Sequence, residues 1–300
     1  MPIAFDCPNC GKRTEVDYQY AGQSGLCSGC GRTIDIPSAS GAPQVDSPRK
    51  SRSRKTFVVL AVCLVACLLC CGGLTALLIP TVASSREAAR RTACASNMHQ
   101  IGMAMMTYEA MHGKFPPAYT IDRNGKPLHS WRVLLLPYLE EMALYNEFEL
   151  DEPWDSPHNL ALARSMPPVY ACPGSTDGEG NQTSYAMIVG QDAISDGPNG
   201  RRPKDITDGL SSTIMLVEAA GRGFDWTEPV DLDADGISYA INDGSGTGIS
   251  GNHAEAVNIL FCDGSVRALP EDTDPGIIKA MATVAGGESV EKEALEMRPK

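Results

Sequence analysis

Residues 57 to 79 read FVVLAVCLVACLLCCGGLTALLI, 23 positions without a charge, and residues 94 to 112 read CASNMHQIGMAMMTYEAMH. At about 1.5 Å per residue the first run makes about 35 Å of helix, enough for a hydrocarbon core of about 30 Å, and it reads as a transmembrane helix. In the second run Cys94, Met98, Ile101, Met105, Tyr108 and His112 recur at steps of four and three residues, the spacing of one buried helical face. Gly113, Lys114, Phe115, Pro116 and Pro117 then stop the helix. The expectation is one rod, apolar all round over residues 56–80, bent near Pro80, and amphipathic beyond it. Such a stripe needs a folded head to cover it.

Upstream, residues 37–55 are rich in Pro, Ser and Gly and close on Arg49, Lys50, Arg52, Arg54 and Lys55, the composition of a disordered basic linker. Beyond the apolar run Arg86, Arg90 and Arg91 are fewer and are offset by Glu87. The positive-inside rule then makes the chain a single-pass protein of the cytoplasmic (inner) membrane, bound to the lipid bilayer, with its N-terminus in the cytoplasm and its C-terminal domain outside. Cys63, Cys67, Cys70 and Cys71 lie within the run, where lipid-facing packing is the plainer reading and a helix-pairing seam or acylation the sharper one.

Two CxxCG knuckles, Cys7-Pro8-Asn9-Cys10-Gly11 and Cys27-Ser28-Gly29-Cys30-Gly31, stand ahead of the linker. A two-residue spacer turns both thiolates of a knuckle onto one cation, and the following glycine lets backbone amides approach sulfur. Four thiolates complete a tetrahedron, so residues 1–36 read as a zinc ribbon, with an arm through Thr14, Val16, Tyr18 and Tyr20 and a closing strand at Thr33 to Ile36. So short a segment buries little core, and the metal supplies most of its folding free energy. The motif specifies zinc and leaves open whether the ribbon binds protein or nucleic acid.

Downstream, Trp131, Leu134, Leu135, Tyr138, Leu139 and Met142 give a second helical face interrupted by Pro137. Apolar runs with strand composition follow at 169–172, 183–189, 212–218 and 256–269, the last broken by Asp263-Gly264, a hairpin signal. The fold class is therefore α+β: an N-terminal zinc ribbon, then a single transmembrane helix continuing into a long helix packed on an antiparallel sheet. Residues 286–300 read as a tail. The formal charge of −12 is uneven: residues 1–55 hold eight Lys/Arg against five Asp/Glu, and residues 56–300 hold seventeen against thirty-two. That surplus of acid argues against a nucleic-acid surface on the head.

Several of these stretches together resemble a known family. Arg86-Glu87-Ala88-Ala89-Arg90-Arg91, the stretch through Asn97, Gln100, Ile101, Gly102 and Tyr108 to Phe115-Pro116-Pro117, and Ser130-Trp131-Arg132 through Pro137-Tyr138-Leu139-Glu140 carry the likeness. So do Asp151-Glu152-Pro153-Trp154-Asp155 and His253, followed after nine residues by Asp263-Gly264. They are similar to the large bacterial family of pseudopilin-like proteins of unknown function, associated with prepilin-type processing, whose members end in a His, nine-residue spacer, Asp-Gly signature. The resemblance covers about residues 81–285 and implies a pilin-type rod with an extracytoplasmic head. Members of the family begin with a glycine junction and a glutamate five residues into the mature helix. Here Lys55-Thr56-Phe57 stands at the junction and residues 57–79 hold no carboxylate, so a permanently anchored variant carrying a ribbon in place of the leader is expected.

His253 follows Gly244, Gly246, Gly248 and Gly251, an approach that suits a base or metal ligand and equally a histidine capping a loop. No GxSxG, HExxH or phosphate-cradling motif accompanies it. Asp231, Asp233 and Asp235-Gly236 match the opening of a calcium loop, although Asn242 stands where the bidentate Glu belongs, and a solvated acidic turn is the plainer reading. Cys94 and Cys172, outside the cytoplasm on this topology, form a candidate disulfide and leave Cys262 as a buried odd thiol. The function expected is non-enzymatic: a cell-envelope protein of structural, assembly or type II secretion-like role, partnered by envelope proteins and other pseudopilin-like subunits. A transmembrane transducer whose ribbon recruits a cytoplasmic protein or nucleic acid is the alternative, and a hydrolase centred on His253 the third.

Overall fold

The computed structural model describes residues 2–38, 54–173, 180–253 and 256–287, with side chains left out of the description at 54–56, 70–81, 83 and 84. The basic linker at 39–53, the side chains of Cys70 and Cys71, and the tail from 288 lie outside the described residues. The chain divides into two compact units, 1–73 and 74–300, and the boundary falls within one helix.

In the first unit β1 (Ile3–Asp6) pairs antiparallel with β2 (Arg13–Val16), and β3 (Ser24–Leu26) with β4 (Thr33–Asp35). Each hairpin is closed by one CxxCG knuckle. The backbone turns back through Gly11 and Gly31, both left-handed, so that Gly11 N–H donates to Cys7 O and Gly31 N–H to Cys27 O. The expected arm through Tyr18 and Tyr20 ends at Val16, and Tyr18–Tyr20 forms a single 3₁₀ turn with both rings exposed. The core here is Cys7, Cys27 and Ile34 with Phe5 against them.

Helix α1 runs from Arg54 to His112, and its helical backbone continues through Pro80. No helix among the described residues is long and apolar enough to cross a membrane. The described side chains of the apolar run, Phe57 to Leu69, are exposed. This corrects the reading of 56–80 as a transmembrane helix leading into a pilin-like rod. The single-pass inner-membrane location, its sidedness and the transducer alternative rested on that span and fall with it. The architecture is one of mixed helices and small sheets.

The second unit adds β5 (Tyr119–Ile121) paired with β6 (Pro127–Ser130), then α2 (Trp131–Leu134), α3 (Met142–Tyr145) and α4 (Pro157–Leu162). Pro137 splits the expected second helical face into α2, a 3₁₀ turn at Leu136–Leu139 and α3. The strand expected at 169–172 is instead a 3₁₀ turn, Pro168–Tyr170, because two consecutive prolines fix φ and remove two ladder donors. Then come β7 (Tyr185–Ala186), β8 (Ile188–Val189), β9 (Ile214–Glu218), β10 (Leu232–Asp233), β11 (Ala256–Phe261), β12 (Val266–Pro270) and α5 (Pro275–Met281).

The principal sheet has the order β12-β11-β9-β7 and is antiparallel throughout, while β8 and β10 make a short parallel pair. Alternation along the strands sends side chains to two cores. Leu216, Leu260 and Cys262 join Cys94, Met98, Ile101 and Met105 of α1, whose periodic face is buried as far as Met105, while Tyr108 is half-buried and His112, expected on the same face, is exposed. Val217, Val257, Ile259, Phe261 and Leu269 pack with Ile278 and Met281 of α5. Close approach of α1 to β11 rests on Gly102, where a Cβ would stand 2.8 Å from Leu260 Cδ1.

Candidate functional site

The four ribbon cysteines converge. Their sulfurs lie within 4.8 Å of one another, with Cys7 to Cys30 at 4.0 Å and Cys10 to Cys27 at 3.8 Å, the edges of a tetrahedron. Gly29 N–H donates to Cys27 Sγ at 3.3 Å, and the amides of Gly29 and Cys30 hold the Cys27 thiol down, to about 6. The chemistry of the donor set fits a metal such as zinc.

His253 lies in the second unit, 3 % exposed. Its Nδ1 is 2.8 Å from Glu87 Oε1 on α1, and its Nε2 is 3.3 Å from Cys172 Sγ and 3.8 Å from Glu218 Oε1. Cys172 is disulfide-bonded to Cys94, which belongs to the same buried face of α1 as Met98 and Ile101. Glu218 ends β9 with its carboxylate accepting from Asn258 N–H at 3.0 Å and Asn258 Nδ2 at 2.9 Å. Burial pushes Glu218 above the usual carboxylate range, against the pull of those donors. Glu87 is held below that range, first by its hydrogen bond with Arg90 and then by His253.

Asp263 and Gly264 serve the turn and its contact with α1. Asp263 Oδ1 accepts from Ser265 N–H at 2.9 Å and Ser265 Oγ at 2.6 Å, closing the β11–β12 hairpin. Gly264 has φ +81°, and a Cβ there would stand 2.7 Å from Met106 Sδ of α1. Its carbonyl lies 3.2 Å from His99 Nδ1. Cys262 is buried and not disulfide-bonded, and burial pushes its thiol up.

The three aspartates do not form a set. Asp231 is buried, 2.8 Å from Arg132 Nη2, and also accepts from Trp131 Nε1 and Met187 N–H. Asp233 caps the amide of Asp235 at 3.1 Å, both exposed. Among the described residues, the clusters whose ligand atoms converge are the ribbon tetrad and Cys94, Cys172, Glu218 and His253. Calcium therefore gains no geometric support at Asp231. Arg132, fully buried, also donates to Tyr185 O at 2.7 Å and Ser130 Oγ at 2.8 Å and stacks on Trp131.

Sequence reasoning passed over Glu218 and the pairing of Arg132 with Asp231, and it quoted Glu87 without a role. Glu218 had one signal, a carboxylate ending a strand otherwise wholly apolar from Ile214. A pair 99 residues apart leaves none in a single sequence.

No curated protein and no solved structure matches the chain. A family model does match, over residues 83–200 and 221–276, more than half the chain and inclusive of Glu87, both disulfide cysteines, His253 and Asp263-Gly264. On that match the chain belongs to the family described as Protein of unknown function (DUF1559).

Proposed function

We propose that the chain is a non-enzymatic, envelope-associated protein with a structural, assembly or secretion-associated role. Its ribbon folds around zinc, and its partners are other envelope proteins, related subunits among them. The observation that carries the reading is the use made of the signature. His253 is consumed in holding the glycine-rich approach to α1 through Glu87, Asp263 in closing its own turn, and Gly264 in letting that turn sit against Met106. A disulfide suits an oxidising compartment and adds a covalent tie between α1 and the residue after Ala171. Residues so committed fix the head on its helix.

The test is thermal unfolding of the full chain and its His253→Ala variant. An architectural histidine gives up a hydrogen bond of about 1 kcal/mol, and the Tm falls. A histidine kept for chemistry would leave the Tm unchanged or raise it, because sites tuned for function carry strain. An unchanged Tm rejects the proposal. Zinc at close to one equivalent per chain, lost in Cys27→Ser, is the expected metal content.

A further inference from the structure

Four side chains of three chemical kinds, all with metal-ligating atoms, meet in the second unit at buried positions far apart in sequence. Cys94 comes from α1, Cys172 from the segment after Pro168–Tyr170, Glu218 from the end of β9, and His253 from the glycine-rich approach to β11. Their sulfur, nitrogen and oxygen atoms lie within 4.8 Å of one another. We propose that this cluster is a second metal site, for a zinc-class cation bound by two thiolates, one imidazole and one carboxylate, and that the Cys94–Cys172 disulfide is its closed form.

The arrangement has the features of a ligand set. His253 donates from Nδ1 to Glu87 Oε1 at 2.8 Å, which fixes the tautomer and aims the Nε2 lone pair at Cys172 and Glu218. A carboxylate on the outer nitrogen of a histidine is the usual support of an imidazole that binds zinc. Glu218 is itself held by two donors from Asn258, so it too is oriented. Two thiolates, a nitrogen and an oxygen are a donor set that suits a tetrahedral borderline cation once the two sulfurs, bonded in the closed form, have separated. Glu87 is 28 % exposed, which puts the cluster one side chain beneath the surface.

Opening the site is a balanced exchange. A dithiol gives two electrons and two protons; the bond between the Cys94 and Cys172 sulfurs breaks, each sulfur takes one proton, and the dithiol leaves as its own disulfide. The cation then displaces both thiol protons into solvent and gains two thiolates.

The probe is Co(II), followed by Zn(II), on the full chain. Oxidised chain is expected to bind one ion, in the ribbon. Chain reduced with a dithiol, freed of it anaerobically, is expected to bind two, the second with thiolate charge-transfer intensity for two sulfurs rather than four. Glu87→Gln should weaken the second ion by about 10- to 100-fold and leave the first unchanged. A Cys94→Ser/Cys172→Ser chain should bind one ion whatever its treatment. Both variants keep Cys63 and Cys67, so a second ion that binds them undiminished overturns the proposal. So does a count that stays at one after thiol titration shows both sulfurs released, or a reduced head that unfolds and is not restored by Zn(II). These readouts are metal counts, separate from the melting test of His253.

Discussion

Gly264 carries two demands at once, a left-handed φ and the absence of a Cβ beside Met106. Gly264→Val should therefore destabilise the head by about 1 to 3 kcal/mol, seen as a lowered Tm of the full chain. Arg132 makes a stronger case. Removing its guanidinium leaves the buried Asp231 carboxylate without its counter-charge, so Arg132→Met should cost about 3 to 5 kcal/mol in denaturant unfolding. Arg132→Met combined with Asp231→Leu should recover part of that loss, because no charge is then stranded although Trp131 Nε1 and Met187 N–H lose their acceptor. At this scale the sequence was uneven. Asp263-Gly264 announces a turn by its own chemistry, and CxxCG announces a knuckle, since both rest on neighbours in the chain. Asp231 looked like a surface oxygen ligand because its cation arrives from across the fold, and nothing local distinguishes a carboxylate facing water from one facing Arg132.

Among the elements, the periodic face of α1 from Cys94 to Met105 was legible because burial on a helix repeats at 3.6 residues, and those residues are buried. The apolar run ahead of it was misread as a span, since periodicity and hydropathy say what a segment avoids and not what it crosses. Short elements failed where proline intervened, at 137 and at 167–168. What locks α1 to the head is a set of side-chain contacts: the disulfide, Glu87 with His253, Asn97 Nδ2 donating to Ala171 O at 2.9 Å, and His99 with Gly264 O. The disulfide spans a separation of 78 residues, and a closed loop of that size restrains the unfolded chain by about 4 kcal/mol. Reducing it in metal-free buffer should lower the free energy of unfolding by up to that amount, measured in urea against the oxidised chain.

For the molecule as a whole, two units are stabilised by different means. The ribbon buries Cys7, Cys27, Ile34 and Ile36 and has a tetrad of thiols, whereas the second unit has two apolar cores on the faces of one sheet. A zinc chelator should therefore bring amide exchange over residues 2–36 to the rate of an unfolded chain, and adding zinc should restore protection. Protection that survives chelation would show that the hairpins stand without metal. The link between Cys94 and Cys172 has a last consequence, for fragmentation. The exposed turn around Arg123, where the backbone reverses between β5 and β6, is an open site for trypsin, and it lies inside the loop that the two cysteines close. A cut there divides the backbone but not the molecule: the nicked protein should run as one species on a gel without reductant and as two pieces with it, so integrity measured by size reports the sulfur chemistry before it reports the backbone.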